Sequence, residues 1–329
     1  MTQRPHRQSG NPRRQRGLSL IELMISMVLG LLVVGGAIGV FVSSQQTYRA
    51  TESLARVQEN ARVAFELMAR DVREAAGNPC AANLPTANVL NNPGAFWWSN
   101  WVNGVVGYEN GALPASADGT DAIELLSATS GGVTVVETPA ATSANFKINT
   151  PDHGFVDGDI LMVCDYSQAS IFEATNVNSA NVTVGHNKGN GTPGNCSKGL
   201  GLPVDCSSAN GTGKIYGPNS IVVKLEGARW YVADNNRGGR SLYRVTMDGT
   251  VAGNVGNPEE VAEGIQGMEM QYLLEGANDY VDATAGLDWT RVTAVRITLQ
   301  VQGRDRVGTD GEVLTRDIAH VVNLRNRTS

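Results

Sequence analysis

The side chains that most often carry chemistry are few and scattered in this sequence. Three histidines follow residue 17, namely His153, His186 and His320, and none has a histidine or cysteine neighbour at a metal-binding spacing. No nucleophile elbow or phosphate-binding glycine loop is present. Residues 151–159 join an acid to a histidine, but their glycines predict a turn into a strand rather than a catalytic pair or an EF-hand calcium loop. The sequence therefore predicts no enzyme, no metal site and no cofactor.

Cysteines are the next reactive group. There are four, Cys80, Cys164, Cys196 and Cys206, at irregular spacings and without a C-x-x-C pair. An even number in an exported domain predicts two disulfides, for which three connectivities exist. We favour Cys196 with Cys206 and Cys80 with Cys164. Four buried free thiols would instead fit a cytosolic protein.

One carboxylate occupies an unusual position. Glu22 is the only charged residue in the apolar segment from Leu18 to Val42. As a helix at ~1.5 Å per residue this segment is about 37 Å long, enough to cross a hydrocarbon core of ~30 Å. A charge at the centre of a membrane helix costs about 2.5 to 3.5 kcal/mol, so such an acid normally has a partner. The segment therefore predicts a membrane anchor with a functional acid.

The residues before the apolar segment suggest what that partner is. Residues 1–17 contain five arginines and no acid, as expected of a cytoplasmic flank. A glycine, Gly17, stands before the apolar stretch, whereas a secretory signal is cleaved after it. Cleavage after Gly17 would free an amine on Leu18, about 6 Å of helical rise from Glu22. Between offset subunits, each amine would meet a neighbour's carboxylate, which makes Glu22 an assembly residue.

These residues match a known pattern. The run from Arg16 to Leu23 closely resembles the class III signal of type IV prepilins. The resemblance implies cleavage between Gly17 and Leu18 by a prepilin peptidase and N-methylation of Leu18. Leu18 replaces the commonest phenylalanine, a variation the family tolerates, and the long leader favours a minor subunit. The alternative is an ordinary single-pass protein whose Glu22 snorkels to the interface.

The helical pattern continues beyond the anchor. Apolar residues recur at steps of three and four, as on one face of an amphipathic helix. They are Leu54, Val57, Ala61, Ala64, Phe65, Met68 and Val72. Gly77 and Pro79 form a stop signal. We therefore predict one helix from Leu18 to Ala76, whose second half packs on the chain's own β domain.

The rest of the chain predicts short strands separated by turns. Val295, Ile297, Leu299 and Val301 alternate with polar residues, and Met268, Met270, Tyr272 and Leu274 do likewise. One sheet with an apolar face is expected to pack on the helix. The other predicted strands are Asp121 to Ser127, Gly132 to Glu137, Gly158 to Cys164, Asn181 to Val184, Ser220 to Glu226, Asp317 to Leu324, and a hairpin of Arg229 to Ala233 with Ser241 to Thr246.

The C-terminal strands also carry a resemblance. EGIQGMEMQYLLEG and DWTRVTAVRITLQVQGR look like the C-terminal sheet of PilW-type minor pilins, and WYVADNNRGGRSLYR and ADGTDAIELLSA look similar to the same family. The span 167–217 does not align and is expected to be subunit-specific surface. The resemblance implies an α+β, pilin-like fold: a leader (1–17), a transmembrane then amphipathic helix (18–76), and a mainly antiparallel β domain (77–329).

The resemblance further implies a non-enzymatic role in a filament. Subunits of this type join other minor pilins and the major pilin on an inner-membrane assembly platform. They prime pilus assembly, remain near the tip and help to display a large adhesin. The β domain would lie in the periplasm before assembly and outside the cell afterwards. Two alternatives remain, a J-type pseudopilin of type II secretion and a membrane-tethered periplasmic enzyme or binding protein.

Two further features bear on partners. Phe96, Trp97, Trp98 and Trp101 form the densest aromatic cluster, for which we expect packing against the top of the helix, with contact to a partner subunit as the alternative. The formal net charge is −6, and without the arginine-rich residues 1–17 it is 21 − 32 = −11. An acidic body of this kind predicts no direct binding of nucleic acid.

Overall fold

A computed structural model describes residues 19–77, 79–80, 84–99, 101, 103–129, 131–140, 143–248, 255–303, 306 and 312–327. The chain divides into two compact units, 1–52 and 53–329. The first contains the exposed, apolar start of one long helix. The second contains the end of that helix and the β-sheets.

The helix α1 spans Leu20–Glu74, 55 residues. The sequence predicts it from Leu18 to Ala76; Leu18 lies outside the described residues, and the C-terminal end comes two residues early. Ala76, not Gly77, takes the left-handed conformation (φ 58°) that closes the helix. Gly77 is needed for another reason, because a Cβ there would lie 2.8 Å from the Glu74 carbonyl oxygen.

The β domain contains fifteen strands among the described residues, together with short 3₁₀ turns at Pro93–Ala95, Trp97–Ser99 and Trp289–Arg291. In chain order the strands are β1 (Thr86–Asn88), β2 (Val105–Tyr108), β3 (Ala122–Thr129), β4 (Asn145–Lys147), β5 (Ile160–Cys164), β6 (Ala169–Glu173), β7 (Asn176–Asn178), β8 (Thr183–Gly185), β9 (Ile221–Asp234), β10 (Arg240–Thr246), β11 (Glu259–Glu263), β12 (Ile265–Leu274), β13 (Tyr280–Asp282), β14 (Val292–Gln302) and β15 (Thr315–Asn323).

These strands form three sheets. The largest has the order β1-β6-β5-β9-β10-β11, with β3 joining β2 to β9. The second has the order β13-β12-β14-β15 and the third β4-β8-β7. The β1–β6 pair is parallel and the other described strand pairs are antiparallel. Sequence periodicity reveals that a strand has two faces, but it does not reveal which strand lies beside it.

The second half of α1 packs on the first two sheets. Its predicted apolar face is buried, with Ala64, Met68 and Val72 inaccessible to solvent. The alternating residues predicted in β12 and β14 supply the opposing surface, which confirms that an apolar sheet face packs on the helix. Residues of the helix from Val57 to Val72 and residues of β3, β9, β12 and β14 thus form one core.

A second core lies where surface was expected. Phe172, Val184, Leu200 and Tyr216 all fall within span 167–217, and all are almost completely buried. They pack with Phe146 and other apolar residues of the third sheet and its surroundings. The prediction of a mere surface insertion is therefore wrong. Its glycine-, asparagine- and serine-rich composition hides widely spaced core residues that have no common period.

Two predicted strands differ from those observed. Residues 132–137 form only isolated bridges, because Val135 donates to Ser220 while Val136 donates to Lys147, so no single partner strand exists. The strands predicted at Ser220 to Glu226 and at Arg229 to Ala233 belong to one strand, β9 (Ile221–Asp234), which continues through Gly227. A Cβ at Gly227 would approach Leu126 and Trp97 to 3.0 and 3.1 Å, which explains the glycine. The predicted hairpin to β10 is confirmed.

Candidate functional site

The first turn of α1 holds Glu22 in a capping arrangement. Ser19 precedes the helix, and its Oγ accepts a hydrogen bond from the Glu22 backbone N–H (3.2 Å). The Ser19 carbonyl accepts from the Leu23 N–H at 3.1 Å. Ser19 is thus the N-cap and Glu22 the third helical residue, where a carboxylate also benefits from the positive end of the helix dipole. The pattern S-x-x-E before an apolar run was the signal for this cap, and sequence reasoning missed it.

The residues after Glu22 present an exposed apolar surface. Every described side chain from Leu20 to Val42 is exposed, including Leu31 and Phe41. Long apolar side chains in water are costly at about 25 cal/mol per Å² of exposed area. By its length and composition, this helix could cross a membrane. Gly17 and Leu18, the predicted processing residues, lie outside the described residues.

A polar contact fixes the other end of the helix to the β domain. The Asp71 carboxylate accepts hydrogen bonds from Trp230 Nε1 (2.8 Å) and from Arg244 Nε (2.8 Å) and Nη2 (3.0 Å). Both donors lie on adjacent strands, β9 and β10. A partly buried, charge-assisted contact of this kind fixes the rotation of the helix as well as its position. The end of the helix is therefore held against the β domain, whereas the side chains at its start are exposed.

The cysteines pair as the sequence analysis favoured. Cys80 is bonded to Cys164, and Cys196 to Cys206. The first bond ties the segment after the helix to the end of β5. The second closes a loop of the second core. Each fits an oxidising compartment, since cytosolic proteins rarely keep structural disulfides.

The sequence analysis predicted that the aromatic cluster packs against the helix, and this is wrong. The cluster lies on the face of the large sheet that is opposite to the helix. Trp98 is completely buried and stacks on Phe96, with ring centroids 5.0 Å apart. Among the described residues, the apolar cluster that contains Trp98 includes both cysteines of the first disulfide and no residue of α1. Trp97 and Trp101 are partly buried there. Trp98 has no exposed surface with which to contact a partner subunit. Such a contact stays a prediction for Trp97 and Trp101.

A partly buried ion pair between Arg229 and Glu124 packs against Trp97. The Arg229 guanidinium carbon lies 4.5 Å from the centre of one Trp97 ring. The same side chain bonds the Glu124 carboxylate, which also accepts from the Tyr108 hydroxyl (2.8 Å). Burial raises the pKa of Glu124, and the positive charge of Arg229 opposes that rise. The arrangement holds the cluster in place and brings no catalytic pair together.

The three histidines lie in separate environments. His153 Nδ1 accepts from the Phe155 N–H (2.9 Å) in the turn before β5, as the glycine-rich stretch predicted. His186 is buried between Phe146 and Phe172. His320 lies on β15 against Phe65 of the helix, with ring centroids 4.2 Å apart. Within the described ranges no three His, Cys, Asp or Glu side chains come together as metal ligands.

The fold and the apolar N-terminal segment of the helix together define the class of the protein. A long N-terminal helix, apolar at its start, packs by its second half on mainly antiparallel sheets. This is an α+β, pilin-like arrangement. The apolar start of the helix is consistent with anchoring in a membrane.

Comparison with known families narrows the class. The family model described as Type IV Pilus-assembly protein W matches residues 229–321, and the model described as Prokaryotic N-terminal methylation motif matches residues 12–38. The first match runs from within β9 into β15, and the second covers Glu22 and the bare start of α1. No curated protein matches the chain. Together the two family matches support a type IV prepilin-like protein of the PilW type.

These families are structural components of pili. The two matches therefore support a pilin related to the type IV pilus, and they suggest contact with other pilins and with the pilus assembly machinery. Neither match favours a pseudopilin of type II secretion. Pilus incorporation through the N-terminal segment is consistent with the methylation motif.

Proposed function

We propose that the chain is a minor pilin that is cut between Gly17 and Leu18 and methylated on the new N-terminus. A prepilin peptidase would remove the leader 1–17 on the cytoplasmic side of the inner membrane. The remaining chain stays anchored by its apolar helix, with the β domain in the periplasm. From there it joins other minor pilins and the major pilin, on the assembly platform, to prime a pilus.

Glu22 supplies the assembly chemistry in this proposal. The amine freed on Leu18 is positive, and the Glu22 carboxylate is negative. In an apolar bundle of helices, each charge alone would be costly, whereas a pair between neighbouring subunits offsets that cost. A subunit is therefore drawn to the axial offset that brings its amine to its neighbour's carboxylate. The role is structural, and no catalytic step belongs to it.

The tip of the filament is the proposed final position. Minor subunits that prime assembly enter the filament first and are carried outward by later ones. The β domain would then be extracellular and available to hold a large adhesin. The observation that carries the proposal is the bare apolar helix with one carboxylate, inside the segment that matches the methylation motif.

The test replaces the acid without changing its shape. Glu22→Gln removes the charge, and we expect normal cleavage and methylation but at least tenfold less of the variant in sheared pili. Incorporation is measured by quantitative immunoblotting of pili against membranes. The matched control is Glu59→Gln, which neutralises an exposed acid further along the same helix. Equal incorporation of both variants would remove Glu22 from the mechanism.

A further inference from the structure

The last strand of the molecule has an open edge. In the four-stranded sheet, β15 lies at the end of the order, and no strand of the described chain pairs with its outer side. It is nine residues long and contains no charged residue from Ile318 to Val322. Natural proteins usually protect such an edge with charges, prolines or very short strands. The other end of this sheet follows that rule, since β13 has only three residues.

The hydrogen-bond pattern shows which backbone groups are open. Leu324 donates its N–H to the Thr293 carbonyl just beyond one end of β15, and Gly303 donates to Leu314 just beyond the other. The register between β14 and β15 has no shift between these points. Hydrogen-bonded pairs alternate with non-bonded pairs along an antiparallel ladder, so the backbone N–H and C=O groups of the even-numbered residues of β15 point toward β14. Asp317, Ala319 and Val321 therefore direct their N–H and C=O groups outward.

An apolar groove runs beside this edge. It lies between α1 and β15, and Ala61, Phe65 and Ala69 line it from the helix. Ile318 and Val322 line it from the strand. A strand added to the edge would place every second side chain on the same face of the sheet as Ile318 and Val322, and therefore toward this groove. Backbone groups and groove together suit an extended segment better than a helix, which has no free backbone groups to offer along its side.

Charge defines the occupant further. Arg62 and Arg73 line the groove, and Arg316 lies on the same face of β15 as Ile318. The Arg73 carbonyl accepts a hydrogen bond from the Arg325 N–H, so Arg73 lies beside the C-terminal end of β15. Arg316 lies near the start of the strand. Arg62 pairs with Glu66, with 2.9 Å between Nε and Oε1, so the positive charges that this pair leaves beside the groove are those of Arg73 and Arg316. Acidic residues at the two ends of an added strand would meet these arginines.

We propose that β15 is a docking edge for an extended segment of another protein chain, apolar at alternate positions and acidic at its ends. The segment adds a fifth strand to the β13-β12-β14-β15 sheet and fills the groove beside α1. This inference goes beyond the proposed function and is independent of cleavage at Gly17 and of Glu22.

The test uses the full chain in detergent micelles and a synthetic probe. The probe is a nine-residue peptide with glutamate at both ends, valine at its third, fifth and seventh positions, and threonine elsewhere. Two control peptides carry lysine at both ends or N-methyl groups on alternate amides. Binding is measured by fluorescence anisotropy. We expect the probe to bind and both controls to bind at least tenfold more weakly.

Variants of the protein locate the site. Ala319→Pro removes an outward N–H without touching the bonds to β14, and we expect about fivefold to tenfold weaker binding. Its matched control, Ala319→Thr, keeps the N–H and should bind within twofold of the unchanged protein. Arg73→Glu should weaken binding severalfold, whereas Arg70→Glu, an equal charge change on the same helix outside the groove, should not.

Hydrogen exchange keeps the test decisive if a proline variant fails to fold. Saturating probe should slow exchange of the Ala319 and Val321 amides in the unchanged protein. Equal binding by Ala319→Pro and Ala319→Thr, absence of binding, or unchanged exchange at these amides would each overturn the proposal. A dimer that protects both amides without probe would show that a second copy occupies the edge, which also overturns it.

Discussion

Glu22 and Asp71 show what single residues reveal in the sequence and what they do not. The Ser19 cap on Glu22 is local, so the spacing S-x-x-E is enough to predict it. The Asp71 contact joins this residue to Trp230, 159 positions further along the chain, and to Arg244, 173 positions further along. Nothing in the sequence near Asp71 points to Trp230 or Arg244, because their meeting depends on how β9 and β10 pack beneath the helix. Local chemistry was thus predictable, and long-range polar contacts were not.

His186 gives the second core a predictable response to acid. Burial between aromatic rings disfavours its charged form and lowers its pKa to about 4, with nearby Lys198 acting in the same direction. The unfolded chain has a pKa near ~6.5 and so binds the proton first. Stability is therefore full above about pH 6.5 and is lost as the pH falls toward 4, by about 3 kcal/mol in all.

Replacement of this histidine tests that account. Thermal unfolding of His186→Gln should depend less on pH between 4 and 7 than unfolding of the unchanged protein. His320→Gln is the control, since His320 is exposed on β15. Should both variants keep the original pH dependence, the acid sensitivity would have to come from other groups.

At the scale of elements, the helix offers a direct comparison of its two faces. Met68 is completely buried against the sheets, whereas its neighbour Leu67 is 42% exposed on the outer face. Met68→Ala should lower the free energy of unfolding by about 2 to 5 kcal/mol through lost burial and a cavity. Leu67→Ala should cost less than about 1 kcal/mol, because its site is half open to solvent. Chemical denaturation of the two variants measures both values, and similar costs would contradict the observed face.

The two disulfides should differ in the stability they confer. Cys80–Cys164 spans 84 residues of sequence and Cys196–Cys206 only 10. In the chain-entropy model, the longer loop restricts the unfolded chain more, by about 2 kcal/mol. Paired replacement by serine should therefore destabilise the protein more for Cys80 with Cys164 than for Cys196 with Cys206. Denaturant midpoints rank the two, and the reverse order would contradict the loop-entropy account.

Elements with a long regular period were predicted well. The alternation from Val295 to Val301 and the helical spacing from Val57 to Val72 each extend over several repeats, and both faces are observed. Residues 132–137 have strand-like composition but share their hydrogen bonds between two partners. Gly227 resembles a break and is instead a packing site inside β9. These errors arise because tertiary partners override a short local pattern.

At the scale of the whole molecule, the resemblance to type IV pilins was predictable from the two ends of the chain. The anchor and the C-terminal sheet carried the resemblance, and the two family matches cover the same ends. The middle of the chain contains the second core and the third sheet, with buried residues such as Phe146 and Tyr216 far apart in sequence. Their arrangement has no period or motif, so only the structure revealed it.

The account depends above all on a processed N-terminus. Mass spectrometry of the intact protein, extracted from membranes of cells that make pili, measures this directly. We expect a chain that begins at Leu18, carries one methyl group on its amine and lacks residues 1–17. A native protein in pili that still begins at Met1, or at any residue before Leu18, would contradict the pairing of that amine with Glu22 and the filament role built on it.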